Sequence, residues 1–200
     1  PAVEALTDEQ FAPLSIDTFR PEVAAAALDL GASMINDVRG GRESGMLQVF
    51  GAYQPWVCLM HMRGLPQTMQ LGSIDYDEVV VEVGSWLADV VHRAVEVGVP
   101  QHHILVDPGI GFGITDDHNL ALTRHCHRLA ERTGCPVLYG ASRKSIVGRL
   151  AGIMEPDQRL GGSLSLAGAA YRSGARVFRV HDVAQTVQYL ALEVALGDEN

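Results

Sequence analysis

Six short apolar runs in this 200-residue chain each end on a polar side chain that can hold a ligand. In order these are Asp17, Asn36, His61, Asp107, Ser142 with Lys144, and Arg179 with His181. The first two stand in Ser15-Ile16-Asp17-Thr18 and Ile35-Asn36-Asp37-Val38. A carboxylate accepts hydrogen bonds and a carboxamide both donates and accepts. Side by side they match the edge of a planar heterocycle. Taken singly, either would serve equally as the N-cap of a following helix. In Arg179-Val180-His181-Asp182 the strand period of two sends Arg179 and His181 to one side, where both can reach the same ligand. A surface pair of Arg179 with Asp182 would account for the arginine but not for a histidine at a strand end.

Two loops add backbone chemistry. Asp107-Pro108-Gly109-Ile110-Gly111-Phe112-Gly113 follows a strand run and is rich in glycine. A dinucleotide loop is excluded: Pro108 intrudes at the strand end, Gly113 comes one residue early for G-x-G-x-x-G, and no acidic ribose ligand ends a strand soon afterwards. The run reads instead as a loop that brings backbone close to a ligand, with Asp107 and Phe112 facing the pocket. Gly140-Ala141-Ser142-Arg143-Lys144-Ser145 fails as a Walker A loop, because Arg143 stands where a glycine must precede the lysine. Backbone N–H groups opening a helix beside Lys144 would still suit an anion or a ring oxygen. A solvated basic turn is the plainer alternative. His125-Cys126-His127 has the look of metal ligands, but residues two apart on a helix diverge, and Cys126 belongs to the apolar face. His102-His103 reads as the solvated start of a strand. Neither run is expected to hold a metal.

Buried strands must carry these groups. The expected strands are Pro13–Asp17, Ser33–Val38, Trp56–His61, Ile104–Asp107, Pro136–Gly140 and Arg176–His181. All are short and nearly continuously apolar, as in a parallel sheet covered on both faces. Between them the period becomes helical. Pro21 opens a helix with Val23, Ala27 and Leu30 on one face and Gly31 as its stop. Val79, Val83, Leu87, Val90 and Ala94 mark the clearest helix, ended by Gly98. Leu122, Cys126 and Leu129 mark another. Leu160, Leu164, Ala167 and Tyr171 mark the next, ended by Gly174, and Val187, Leu190 and Val194 the last. Strict βαβα alternation implies a parallel sheet, open or closed. An open sheet gathers ligand groups mainly at one switch point. Contributions from every strand end fit the mouth of a TIM (β/α)8 barrel better. Six strands are legible where a closed barrel has eight, so this reading expects two further βα units before Pro1. No linker interrupts the pattern, and residues 1–200 read as a single domain.

Composition narrows the function. The formal charge of −9 gives no basic field for general nucleic-acid binding, although a local site for a small anion remains open. Three cysteines without framework spacing suit a reducing compartment, and no apolar run is long enough to span a membrane. A cytoplasmic protein is expected.

Taken in order, the motifs resemble dihydropteroate synthase along nearly the whole chain. Beside those already quoted, the resemblance rests on Leu59-Met60-His61-Met62-Arg63-Gly64, Pro66-Gln67-Thr68-Met69-Gln70, Ser142-Arg143-Lys144-Ser145 and Arg179-Val180-His181-Asp182-Val183. It implies a transferase that joins 6-hydroxymethyl-7,8-dihydropterin pyrophosphate to p-aminobenzoate in folate biosynthesis. Asp17, Asn36, Met60, Asp107, Phe112, Gly140 and Lys144 would form its pterin site. Phe112, Lys144 and Ser145 would border p-aminobenzoate, and Asn36, Arg179 and His181 the pyrophosphate. Lys144, Arg179 and His181 would carry catalysis. The resemblance also implies Mg2+, with its ligands before Pro1 rather than in this chain, a homodimer, and inhibition by sulfonamides. The family usually has lysine after its glycine loop, where this chain has Ile114, a position expected at the rim. Two other readings share the barrel. One is a pterin-binding paralogue or fragment without turnover. The other is a methyltetrahydrofolate-type methyltransferase, against which the anion-suited Arg179 and His181 speak.

Overall fold

A computed structural model describes residues 2–8, 12–64 and 76–197. Its strands are β1 (Ser15–Asp17), β2 (Met34–Asp37), β3 (Trp56–Met60), β4 (Ile104–Asp107), β5 (Val137–Tyr139) and β6 (Ala175–Phe178). The helices are α1 (Ala2–Asp8), α2 (Pro21–Asp29), α3 (Met46–Tyr53), α4 (Val79–Glu96), α5 (Asp116–Arg124), α6 (Cys126–Thr133), α7 (Ser145–Ala151), α8 (Leu160–Arg172) and α9 (Val183–Gly197). Every expected strand forms: β4 has its expected bounds, β1, β2, β3 and β5 are shorter, and β6 starts one residue earlier and ends three residues sooner. Arg179 and His181 lie just beyond β6 rather than inside it.

The strands pair in chain order, and each neighbouring pair is parallel. Right-handed twist, accumulated over six strands, curls such a sheet toward a barrel. The curl is far enough advanced that Asp17, at the end of β1, forms an ion pair with Arg179, just past β6. The architecture is α/β, six strands of a TIM-barrel wall with helices outside.

Alternation along the strands separates the two faces. Ile35, Val57, Leu59, Ile104, Val106, Val137, Tyr139 and Ala175 point outward into the main core. There they meet Val83, Leu87, Val90, Leu122 and Leu129 from the helices. Met34, Cys58, Leu105, Leu138 and Val177 point inward and pack on one another as a second, smaller cluster. Two residues further along, the same inward face carries Asn36, Met60, Asp107, Gly140 and Arg179. The expected polar groups therefore stand directly above an apolar floor.

Several helical expectations change. On α2 the buried residues are Ala24 and Ala27, whereas Val23 and Leu30 are exposed. Ala24 joins the main core with Leu28 packed against it. The stretch through Leu122, Cys126 and Leu129 is two helices rather than one, broken at His125, although all three residues stay buried. His125 is thus off the helix, and its ring meets that of His127 edge-on at 5.9 Å. His103 is not a free solvated ring, because it stacks on Trp56 at 4.9 Å. On α9 only Thr186 is buried, and Val187 and Val194 are exposed. That helix meets α8 through Tyr189 and Glu193, which crowd Gly168 and pair with Arg172. α1 and α3 were not expected. Met46 and Phe50, four residues apart and fully buried, are the signal that marked α3.

Leu87 sits at the centre of the longest helix and is fully buried. Replacing it by alanine should lower the unfolding free energy by about 2–5 kcal/mol, read from the denaturant midpoint at unchanged m-value.

Candidate active site at the strand ends

Asp17 and Asn36 occupy matching register positions on β1 and β2. The Asn36 amide donates from Nδ2 to Asp17 Oδ1 at 2.8 Å. This bond orients the amide, and among the described residues the buried Asn36 Oδ1 has no partner. A buried acceptor left unmet costs about 1–3 kcal/mol, so this oxygen is suited to a donor on a ligand. Asp37, the next residue, faces away and ties down the loop that follows, accepting from the N–H groups of Arg39 and Gly41.

Asp107 is 4% exposed. One oxygen accepts the Gly109 N–H at 2.7 Å. Burial pushes its carboxyl above the usual carboxylate range, opposed by the Lys144 ammonium, the Gly109 N–H and Arg179. Burial pulls the Lys144 ammonium down, opposed by Asp107. The ammonium donates to the Ile110 carbonyl at 2.6 Å and lies 4.4 Å from the centre of the Phe112 ring. Lys144 is thus held against the glycine loop by a hydrogen bond and a cation–π contact. Met60 pairs in register with Asp107 and is almost fully buried. Gly140 lies between Asp107 and Arg179: a Cβ there would stand 3.8 Å from Asp107 Oδ2 and 3.7 Å from Arg179 Cβ. Asp17, Asn36, Met60, Asp107, Phe112, Gly140, Lys144 and Arg179 therefore come together at one end of the strands.

The loops after β5 and β6 are laced to each other. Arg179 N–H donates to Tyr139 O at 3.1 Å, and His181 N–H to Ser142 Oγ at 3.2 Å. Arg143 holds Asp182 in a two-pronged ion pair at 3.0 and 2.5 Å. Asp182 thus pairs with Arg143, while Arg179 pairs with Asp17. Arg143 adopts a left-handed conformation, fixed by the Ser163 hydroxyl on its N–H and the Arg159 guanidinium on its carbonyl. His181 and Ser145 are exposed beside this lacing.

Two expectations need correction. His61 does not face the mouth: one residue past inward-facing Met60, it turns outward and is buried against Trp86 at 5.1 Å between ring centres. Ile114 is not at a rim but packs into the main core, 8% exposed. Pro66-Gln67-Thr68-Met69-Gln70 lies outside the described residues. Among the described residues, no group of three or more His, Cys, Asp or Glu side chains converges as a metal would require, so they do not by themselves fit a Mg2+ site. Sequence reasoning missed the Ile110 carbonyl, the Arg143–Asp182 pair and the Arg159 brace. Only the charge alternation of Arg143 and Asp182 offered a signal.

Two consequences are measurable. Gly109 has φ +75°, and a Cβ there would lie 1.9 Å from the His61 carbonyl oxygen. Gly152, at φ +70°, has open space around it. Gly152→Ala should cost only the left-handed penalty of about 1–2 kcal/mol. Gly109→Ala should cost clearly more in thermal unfolding, because the His61 carbonyl is backbone and must shift. His61 titrates at about 4, lowered by burial and secondarily by Arg42. Its folded pKa lies below the unfolded value of 6.5, so its contribution is present above pH 6.5 and is lost as pH falls toward 4. The loss amounts to about 3 kcal/mol. His61→Phe should flatten the stability profile by that amount between pH 7 and pH 4.

Comparison with known proteins bears on this arrangement. The family model described as "Pterin binding enzyme" matches residues 1–181. Dihydropteroate synthase of Escherichia coli (strain K12) is 40% identical over 190 residues, covering 94% of this chain and 66% of that one. The enzyme of the same name from Synechocystis sp. is 39% identical over 197 residues, covering 98% and 68%. The chain thus spans about two thirds of the length of the curated relatives it matches. Among solved structures, dihydropteroate synthase from Xanthomonas albilineans in complex with 7,8-dihydropteroate superposes with a TM-score of 0.91 at 40% identity, over 100% of this chain and 74% of that one. The Yersinia pestis enzyme in a sulfonamide drug complex gives a TM-score of 0.94 at 37% identity, over 100% and 72%. With the family model matched over nine-tenths of its length, the chain belongs to the pterin binding enzyme family.

Proposed function

We propose that the protein is a dihydropteroate synthase, condensing 6-hydroxymethyl-7,8-dihydropterin pyrophosphate with p-aminobenzoate to give 7,8-dihydropteroate and pyrophosphate. The observation that carries this reading is the pairing of an amide acceptor with no partner among the described residues, Asn36 Oδ1, with a buried carboxylate, Asp107, above an apolar floor. A flat heterocycle bearing both ring N–H and amino donors satisfies both at once.

In this reading Asp17, Asn36, Met60, Asp107, Phe112, Gly140 and Lys144 seat the pterin. Phe112, Lys144 and Ser145 border p-aminobenzoate, while Asn36, Arg179 and His181 hold the pyrophosphate. The bond from the pterin methylene to the pyrophosphate oxygen breaks, and its electron pair leaves with the oxygen. The resulting cation is delocalised into the ring and is attacked by the arylamine nitrogen, which then loses a proton to solvent. Lys144, Arg179 and His181 are suited to placement and to countering charge on the leaving group, so no covalent nucleophile is needed. Mg2+, where bound, would supply further neutralisation of pyrophosphate. The reading extends to a cytoplasmic homodimer inhibited by sulfonamides. No described helix is long and apolar enough to cross a membrane.

Asp107→Asn tests the pterin half. The change keeps an acceptor for the Gly109 N–H but removes the charge that opposes burial of the Lys144 ammonium, so the melting temperature should fall while the fold is retained. Affinity for a pterin, measured by calorimetry, should fall at least about tenfold, as one charged hydrogen bond is worth about 1.5–3 kcal/mol. Unchanged affinity would remove Asp107 from the site. Pyrophosphate release that needs both substrates, in the same preparation, tests turnover and separates a synthase from a pterin-binding paralogue.

A further inference from the structure

Ser142 stands among the polar strand-end residues, yet no substrate contact accounts for it. It is buried, and its hydroxyl oxygen lies 3.2 Å from the His181 backbone nitrogen and 3.1 Å from His181 Nδ1. We propose that Ser142 is a positioning residue that fixes the His181 imidazole as its Nε2–H tautomer, making Nε2 a hydrogen-bond donor to an anionic ligand at the mouth. The inference rests on the reading of His181 as a pyrophosphate group.

The assignment follows from counting protons. A backbone N–H can only donate, so Ser142 Oγ is the acceptor in its bond to His181 N. The hydroxyl keeps one proton, and among the described residues its only acceptor is His181 Nδ1. A ring nitrogen that accepts carries no proton, so the proton of the neutral ring sits on Nε2. The opposite tautomer would spend the Nδ1 proton on Ser142, strand the hydroxyl proton, and present a lone pair to the anion. The backbone on either side of the ring is also held in place. Arg179 is hydrogen-bonded to Tyr139 on one side of His181, and Asp182 is clamped by Arg143 on the other. One hydroxyl therefore anchors the backbone of the turn and sets the polarity of its side chain.

Nitrogen-15 NMR of the imidazoles in the full chain, at about pH 8 where an ordinary histidine is neutral, reads the tautomer directly. The signals of His181 are identified by their loss in His181→Ala. The expected result is a single Nε2–H form in the unaltered protein. Ser142→Ala should move it toward the averaged mixture of a free imidazole, and Ser142→Thr should restore it. An Nδ1–H form, or a spectrum indifferent to Ser142→Ala, overturns the proposal. Calorimetry with inorganic pyrophosphate gives a second readout. Ser142→Ala should weaken binding by up to about tenfold, the value of one charge-assisted hydrogen bond. It should have no further effect in a His181→Ala background, whereas a merely structural serine would weaken both proteins alike. Absence of pyrophosphate binding by the unaltered protein would refute the role given to His181 above, while the NMR result would still decide the tautomer.

Discussion

Side chains on a strand alternate, and a parallel strand buried on both faces has no side to give to water. Each strand here can therefore offer the barrel interior one residue in every two, and over a length of three to five residues that means very few positions. Five strands spend the lower position on Met34, Cys58, Leu105, Leu138 and Val177. The next inward position, two residues on, is where the polar groups stand. The rest follows from this spacing. His61 and Asp37, one residue out of phase, are lost to the mouth and work instead on the outer layer.

The dry floor sets the electrostatics above it. A carboxylate placed on apolar packing loses hydration, and Asp107 responds with a raised affinity for its proton. Lys144 suffers the opposite shift for the same reason. Each opposes the other's penalty, so neither is easily removed alone. Rigid placement of the pair depends on a backbone that only glycine permits, since the His61 carbonyl occupies the space a side chain at 109 would need. Fold and site meet in that contact, where the main chain just past β3 closes on the glycine loop.

Much of this was legible in the sequence because burial on both faces produces short, unmixed apolar runs whose ends are conspicuous. Asp17, Asn36, Asp107 and Arg179 needed no more than their position after such a run. His61 shows the limit of the same logic. It ends a run as plainly as the others, but which residue of a terminal pair turns inward is a matter of phase, set by neighbouring strands. Helix faces were misjudged where packing partners were small. On α2, Ala24 and Ala27 make the contact that larger neighbours appeared to claim, and on α9 the apolar spacing of Val187 and Val194 does not coincide with the side that meets α8. Bonds to main-chain atoms, such as Lys144 to the Ile110 carbonyl, leave no trace in residue types. Ile114 was placed by motif position, while its burial follows from the turn of the loop toward the helices.

The three free thiols share one circumstance: all are buried, and none is readily ionised. Cys58 lies in the floor below the mouth, and burial together with Asp107 holds its proton well above the ordinary range. Cys135 is pushed up to about 11. Since the thiolate is the reactive form, the folded protein is chemically quiet toward alkylating reagents and mild oxidants. Labelling of Cys58 then requires the floor to open. The rate at which that one sulfur reacts, set against the rate for an exposed thiol, measures how often the barrel wall comes apart beneath its site.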